Sequence, residues 1–194
     1  MGRSVLGIHG RRGFFRRPWA VWVTAVLVLC ASPIRGAYGD HDSLREEEVK
    51  AAFVFNFLKF VEWPEDRDGR SVVILCVLAT SPLVDALVAL DGKEIRGRPL
   101  RVEISGKPAD LLQCHAVFLG SGVPTEKIAA VLESLRGQPV LTLGDAPGFC
   151  VQGGMIGLFK EGNKMRFNIN LKEARAVRVK ISSKLLQLAR HVIE

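Results

Sequence analysis

The chain has 194 residues, 48% of them hydrophobic, with 27 Lys and Arg against 20 Asp and Glu and a formal net charge of +7. That charge is unevenly placed: the first 39 residues hold six arginines (Arg3, Arg11, Arg12, Arg16, Arg17 and Arg35) and no acid, so the remainder carries only +1. Composition therefore gives no support to nucleic-acid binding, and no zinc-finger or RRM-like motif restores it.

Behind the arginines, Ala20 to Ala31 is almost entirely apolar and too short to span a bilayer comfortably. This is the pattern of a charged front and a hydrophobic stretch in an export signal. Ala37-Tyr38-Gly39 offers small residues at the two positions that a signal peptidase reads. The expected organisation is a signal peptide over 1–39, cleaved to leave a mature domain over 40–194. Arg11-Arg12-Gly13-Phe14-Phe15-Arg16 resembles a twin-arginine signal, while the charge pattern suits Sec export equally well. Left uncleaved, the segment would act as an anchor; Leu29 before Cys30 is too large for a lipobox.

The mature part opens with the most apolar stretch of the chain, Val49 to Pro64, which carries Phe53, Phe55, Phe57, Phe60 and Trp63. A helix apolar around nearly its whole circumference must be buried on several sides. Ser43 and Glu46 form a candidate capping box and Pro64 a stop, so one helix is expected from about Leu44 to Trp63. Asn56, Lys59 and Glu62 interrupt it along a single ridge, either as the solvent edge of a core helix or as the polar lip of a binding surface.

Ser71 to Ala79 is a continuous apolar and β-branched run, the pattern of a strand covered on both faces. Pro82 then starts a short helix that Gly92 ends, and Pro99 to Ser105 alternates as a half-buried strand. Cys114 to Leu119 reads as a further buried strand, Pro124-Thr125 opens an amphipathic helix, and Gln138 to Leu143 is the next strand. Helices alternating with strands in this way predict right-handed crossovers and a mostly parallel sheet. After Gly144 the pattern changes. Met155 to Lys160 and Lys164 to Leu171 flank Glu161-Gly162-Asn163 as a hairpin, with Arg166, Asn168 and Asn170 on one polar face of the second strand. Asn170 caps a helix towards Val179, and Ser182 or Ser183 starts a final one, KLLQLARHVIE. The expected fold class is thus α/β: a single domain with a mostly parallel sheet flanked by helices, a C-terminal β-hairpin and two terminal helices.

Chemistry-bearing motifs are missing from the sequence. His41, His115 and His191 are scattered without HExxH or CxxC spacing, Gly120-Ser121-Gly122 is not GxSxG, and Ser182-Ser183-Lys184 is not SxxK. The glycines at 144, 148, 153, 154 and 157 form no phosphate-binding loop. No catalytic residue, metal site or cofactor is expected, and the chain is read as a non-enzyme.

Two stretches, Val49 to Pro64 and MRFNINLKEARAVRVKISSKLLQLAR (Met165 to Arg190), resemble the YfiR family of bacterial periplasmic proteins. There an AFxxNFxxFxxWP-like helix opens the domain and an FxIN...KISSxLLxLA segment closes it. The resemblance implies a periplasmic repressor that binds the sensory domain of an inner-membrane diguanylate cyclase and so controls cyclic-di-GMP and biofilm formation. A peptidoglycan-associated outer-membrane lipoprotein would release it. It also implies that Cys76 and Cys114 form a disulfide bond; two reduced buried thiols are the alternative. Cys150 is then a free cysteine, because Gly157 stands where relatives can carry the partner of a second bridge. The candidate partner or ligand surface, chosen from polar positions beside apolar ones, is Asn56, Lys59, Trp63, Arg166, Asn168, Ser182 and Ser183. A homodimer is a further expectation from the apolar helix, and the competing class is a small-ligand-binding domain resembling one lobe of a solute receptor.

Overall fold

The computed structural model describes residues 38–80, 82–105 and 107–194. The leader expected over 1–39 therefore lies almost wholly outside the described residues. Helix α1 (Tyr38–Lys59) opens the domain, followed by β1 (Val61–Glu62), α2 (Glu65–Asp68) and β2 (Val73–Leu78). Then come α3 (Leu83–Val88), β3 (Glu94–Ile95), β4 (Arg98–Ile104), α4 (Pro108–Leu111), β5 (Ala116–Leu119), α5 (Thr125–Ser134) and β6 (Leu141–Gly144). The hairpin β7 (Ile156–Glu161) and β8 (Lys164–Asn170) leads to α6 (Leu171–Ala176), β9 (Lys180–Ile181), α7 (Ser183–Leu188) and β10 (His191–Ile193).

The main sheet has the order β10-β8-β7-β6-β5-β2-β4-β3. Every pairing from β4 through β2, β5 and β6 to β7 is parallel, with the β7–β8 hairpin and the β3–β4 pair antiparallel. This is the expected α/β class. The sheet is covered on both faces, which is why its central strands lack alternation. Ala116 and Phe118 of β5 join a core with α1, whereas Val117 and Leu119 join a second core with Ile128 and Val131 of α5.

Phe57 is 1% exposed and packs on Phe167 with ring centroids 4.9 Å apart; Phe53 meets both rings at 5.9 and 6.1 Å. Each buried phenyl contributes roughly 1.5 to 3 kcal/mol. The two caps form as the sequence suggests: the Asn170 side chain accepts from Glu173 N at 3.1 Å and Ser182 Oγ from Leu185 N at 3.3 Å.

Element boundaries differ at both ends. Helix α1 starts at Tyr38 and runs through Ser43 instead of beginning there, and it stops at Lys59 instead of Trp63. Phe60 N turns back to Phe57 O, and Val61–Glu62 then pairs antiparallel with Lys180–Ile181, far along the chain. The final helix likewise stops at Leu188. His191–Ile193 leaves it to lie parallel to β8, as the β-branched Val192 and Ile193 favour.

Candidate interaction surface

Successive helical residues turn by about 100°, so the phenylalanines of α1 cannot all face one way. Phe53 and Phe57 meet Phe167 in the core, while Phe55, half-buried against that core, lines the side of α1 that carries the exposed Ala52, Asn56 and Lys59. Between this side of α1 and α3 runs a groove of about 500 Å³, lined by Ala52, Phe55 and Asn56 on one wall and by Ala86, Ala89 and Lys93 on the other. Its basic end is defined by Lys59 Nζ, 4.2 Å from the centroid of the Phe55 ring, and Lys93 Nζ, 5.6 Å from it. Two cations against one ring fix its position by cation–π attraction. Glu47 and Glu48 mark the opposite, acidic end. Val49 and Phe60, 42% and 37% exposed, extend the apolar character of α1 beyond the groove.

The inner edge of α1 is held by charge. Lys50 Nζ lies 2.9 Å from Asp145 Oδ2, 3.1 Å from Glu47 and 3.4 Å from Glu46, and Glu46 reaches Lys160 at 2.8 Å. Burial pushes the Lys50 ammonium down, but the Asp145 and Glu47 carboxylates outweigh it and hold the pKa above the ordinary lysine value. The hydrogen bond from Lys160 holds Glu46 below the ordinary carboxylate range, with burial opposing and Lys50 adding to the effect. Asp145 Oδ1 also accepts from Ser121 N at 2.6 Å, across the C-terminal ends of β5 and β6. Gly120 packs there so closely that a Cβ would lie 2.7 Å from Ala79 Cβ. In open α/β sheets this edge is where a small ligand would sit. Here the Asp145 carboxylate bridges from the end of β6 to Ser121 N beyond β5.

The surface residues chosen from sequence do not share one face. Asn56 and Lys59 are exposed on α1, and the start of α7 comes close to them, because Ser182 N donates to Phe60 O at 3.0 Å. Ser183 is exposed and Ser182 half-buried in its cap. Arg166 and Asn168 are half-buried on β8, on the side away from Phe167 and therefore away from α1; Arg166 Nε lies 3.5 Å from Glu161 Oε2.

Trp63 must be removed from the set. It is 4% exposed, and its Nε1 donates to His115 O at 2.7 Å, because the turn at Phe60 swings the indole under the sheet. Phe55, Ala52 and Lys93 were overlooked. A helical wheel would have separated Phe55 from Phe53 and Phe57, whereas nothing local could have brought Lys93 to its ring.

Cys76 and Cys114 form a disulfide, with Cα atoms 5.9 Å apart, inside the second core. Cys150 is a buried free thiol, and burial pushes its pKa up to about 11. Its Sγ donates to Asn168 O at 3.4 Å and sits against Gly157, where a Cβ would lie 3.2 Å away. Among the described residues no three His, Cys, Asp or Glu side chains gather as metal ligands would, and no helix is long and apolar enough to cross a membrane.

A model of the YfiR/HmsC-like family matches residues 47–190. Among solved structures, a conserved domain protein from Vibrio cholerae O1 biovar El Tor is similar with a TM-score of 0.49 and 13% identity, over 75% of this chain and 60% of that one. The ABC domain in complex with L-Trp from Streptococcus pneumoniae is similar with a TM-score of 0.49 and 14% identity, over 72% and 59%. The chain thus spans about three-fifths of the length of these structures.

Proposed function

The chain belongs to the YfiR/HmsC-like family, and from that membership we propose that it binds the periplasmic sensory domain of an inner-membrane diguanylate cyclase and holds the enzyme inactive. Regulators of this family act in the periplasm on the diguanylate cyclase pathway and are in general non-enzymatic. Export would come from the arginine-rich leader over 1–39, cleaved near Asp40. A peptidoglycan-associated outer-membrane lipoprotein would draw the repressor off, so that cyclic-di-GMP follows the state of the envelope.

The observation that carries this reading is the family match over residues 47–190. Two features of the fold support it. Helix α1 keeps apolar and charged groups on its outer side, as a protein-binding element would. At the C-terminal edge of the sheet, where a solute-receptor lobe would hold its ligand, Asp145 is engaged by Ser121 N and Gly120 packs tightly on Ala79.

Deleting the gene should raise cyclic-di-GMP and surface attachment, and the rise should vanish when the cognate cyclase gene is also deleted. An unchanged level in the single deletion, with both proteins expressed, refutes the repressor reading.

A further inference from the structure

The C-terminal part of the chain gathers cations that the fold does not use. Arg175 lies in the last turn of α6, Arg178 just beyond it, and Lys180 opens β9. All three are exposed, and among the described residues none of their side chains makes a hydrogen bond or an ion pair. They stand around a groove of about 430 Å³ floored by Val179, Ile181 and Leu186, with no acid in its lining. Across the β1–β9 pair Lys180 faces Glu62, whose carboxylate lies 3.8 Å from Arg96. Outside the leader the chain carries a charge of only +1, so these cations are a local concentration and not a share of a general excess.

Arg178 is also held at a backbone cost. Its φ is 60°, in the left-handed region. Arg178 N donates to Arg175 O and Val179 N to Ala174 O, both at 3.0 Å, which is the helix-closing turn where glycine is the usual residue. The other left-handed arginine among the described residues, Arg96, uses its side chain within the fold, donating to Val61 O at 3.2 Å. Arg178 has no such internal use.

We propose that this face docks on the surface of an anionic lipid bilayer, with Arg175, Arg178 and Lys180 on lipid phosphates and the apolar floor between them against acyl chain. Exposed cations around an open apolar groove match a plane of phosphates above hydrocarbon. Arginine and lysine suit this boundary, because their stems lie along apolar surface while the charged heads stay at the phosphate level. A soluble anion of the same chemistry is better held in an enclosed pocket by a few converging polar groups, and here all three cations are open to solvent. Docking of this kind keeps the chain beside membrane-embedded partners and raises their effective concentration. The inference stands on the groove and its unpaired cations, and holds whether or not a cyclase is the eventual target.

Vesicles test it. Protein purified after export should co-sediment with vesicles containing phosphatidylglycerol at least about tenfold more strongly than with pure phosphatidylcholine, and added salt should weaken the binding. At about fivefold for each cation, Arg175→Gln/Arg178→Gln/Lys180→Gln should lose about a hundredfold. The variant Arg101→Gln/Lys107→Gln/Lys127→Gln removes as many exposed cations elsewhere and should bind like the parent, which separates this face from net charge. Arg178→Gly should bind about fivefold more weakly while melting no lower than the parent, because glycine relieves the left-handed backbone, so its weaker binding cannot come from unfolding. No preference for phosphatidylglycerol, a groove variant that binds like the parent, or an equal loss in the matched variant would each overturn the proposal. Displacement from the vesicles by free glycerol phosphate, at concentrations where sodium chloride has no effect, would overturn it in favour of a soluble-anion site.

Discussion

The indole Nε1 of Trp63 donates to the main-chain oxygen of His115 at 2.7 Å, and the imidazole of the same residue stands edge-on to the indole with centroids 5.6 Å apart. Around them Arg67 donates to the carbonyls of Cys114 and Leu112, both at 2.7 Å, and Arg70 to that of Gln113 at 2.9 Å. The segment after α1 is thereby fastened to the stretch Leu112 to His115, which leads into β5 and carries Cys114 of the disulfide. Trp63, chosen from sequence as a surface residue, works as an internal latch.

That latch is sensitive to acid. His115 Nδ1 accepts from Ile74 N at 3.0 Å, so the buried ring is neutral and its Nε2–H points to Arg67 O at 3.2 Å. Burial pushes its pKa from 6.5 down to about 4, with the charges of Arg98, Arg70 and Arg67 adding and the bond to Arg67 O opposing. Below the unfolded value the unfolded chain binds a proton that the native chain refuses. Stability from this group is complete above pH 6.5 and is lost as pH falls towards 4. The full loss is at most about 3 kcal/mol. Denaturant melts at about pH 7 and about pH 5 should show a drop in the parent protein that His115→Gln, although less stable overall, largely lacks. Equal slopes in the two proteins would remove His115 as the cause.

The Cys76–Cys114 bond closes a loop with a sequence separation of 38. On the chain-entropy model that stabilises by about 4 kcal/mol, an upper figure if the unfolded chain retains structure. Cys76→Ala/Cys114→Ala should lower the melting temperature by roughly 8 to 16 °C. Non-reducing peptide maps of the parent protein should show this pair linked. Cys150, 5% exposed with its thiol pKa raised to about 11, should resist alkylation until the protein unfolds. Rapid native labelling of Cys150 would contradict the burial.

The sheet was legible because its strands announce themselves: Val73 to Leu78 and Ala116 to Leu119 are apolar runs bounded by turn residues, and both are buried on two faces. Asn170 and Ser182 were legible because capping depends on a few neighbouring residues. What stayed hidden depends on pairing at a distance. Nothing near Val61 says that it will pair with Ile181, and that pairing decides whether Trp63 ends a helix on the surface or turns inward. Lys50 and Asp145 likewise show no local sign of each other, and the ridge of Asn56 and Lys59 could be read from the helical period while its opposite wall on α3 could not.

Gly157 offers an engineering test of the loop around Cys150. A Cβ there would lie 3.2 Å from Cys150 Sγ, near the separation across a disulfide, with Phe149 Cβ next at 3.4 Å. Gly157→Cys should form a second bridge with Cys150 under oxidising conditions, leaving Cys76–Cys114 intact. A mixture in which Cys150 pairs with Cys76 or Cys114 would show that the loop moves further than the structure allows.

The Lys50–Asp145 pair is the remaining point where α1 depends on a distant strand. The two side chains are 12% and 5% exposed, so removing the cation leaves a buried carboxylate with Ser121 N as its remaining close partner. Stranding one member of such a pair costs about 3 kcal/mol, more than the pair itself is worth against an uncharged replacement. Lys50→Met should therefore lower the melting temperature by roughly 6 to 12 °C. Lys50→Met/Asp145→Asn should recover a large part of that loss, because the stranded charge is gone and the amide can still accept from Ser121 N. Glu46 would then keep only Lys160, so greater salt sensitivity of the remaining α1 contact is expected in the double variant. If Lys50→Met costs less than about 1 kcal/mol, the value of an ordinary surface pair, α1 is held by its buried apolar side chains, Val54, Phe57 and Leu58 among them, and not by this pair.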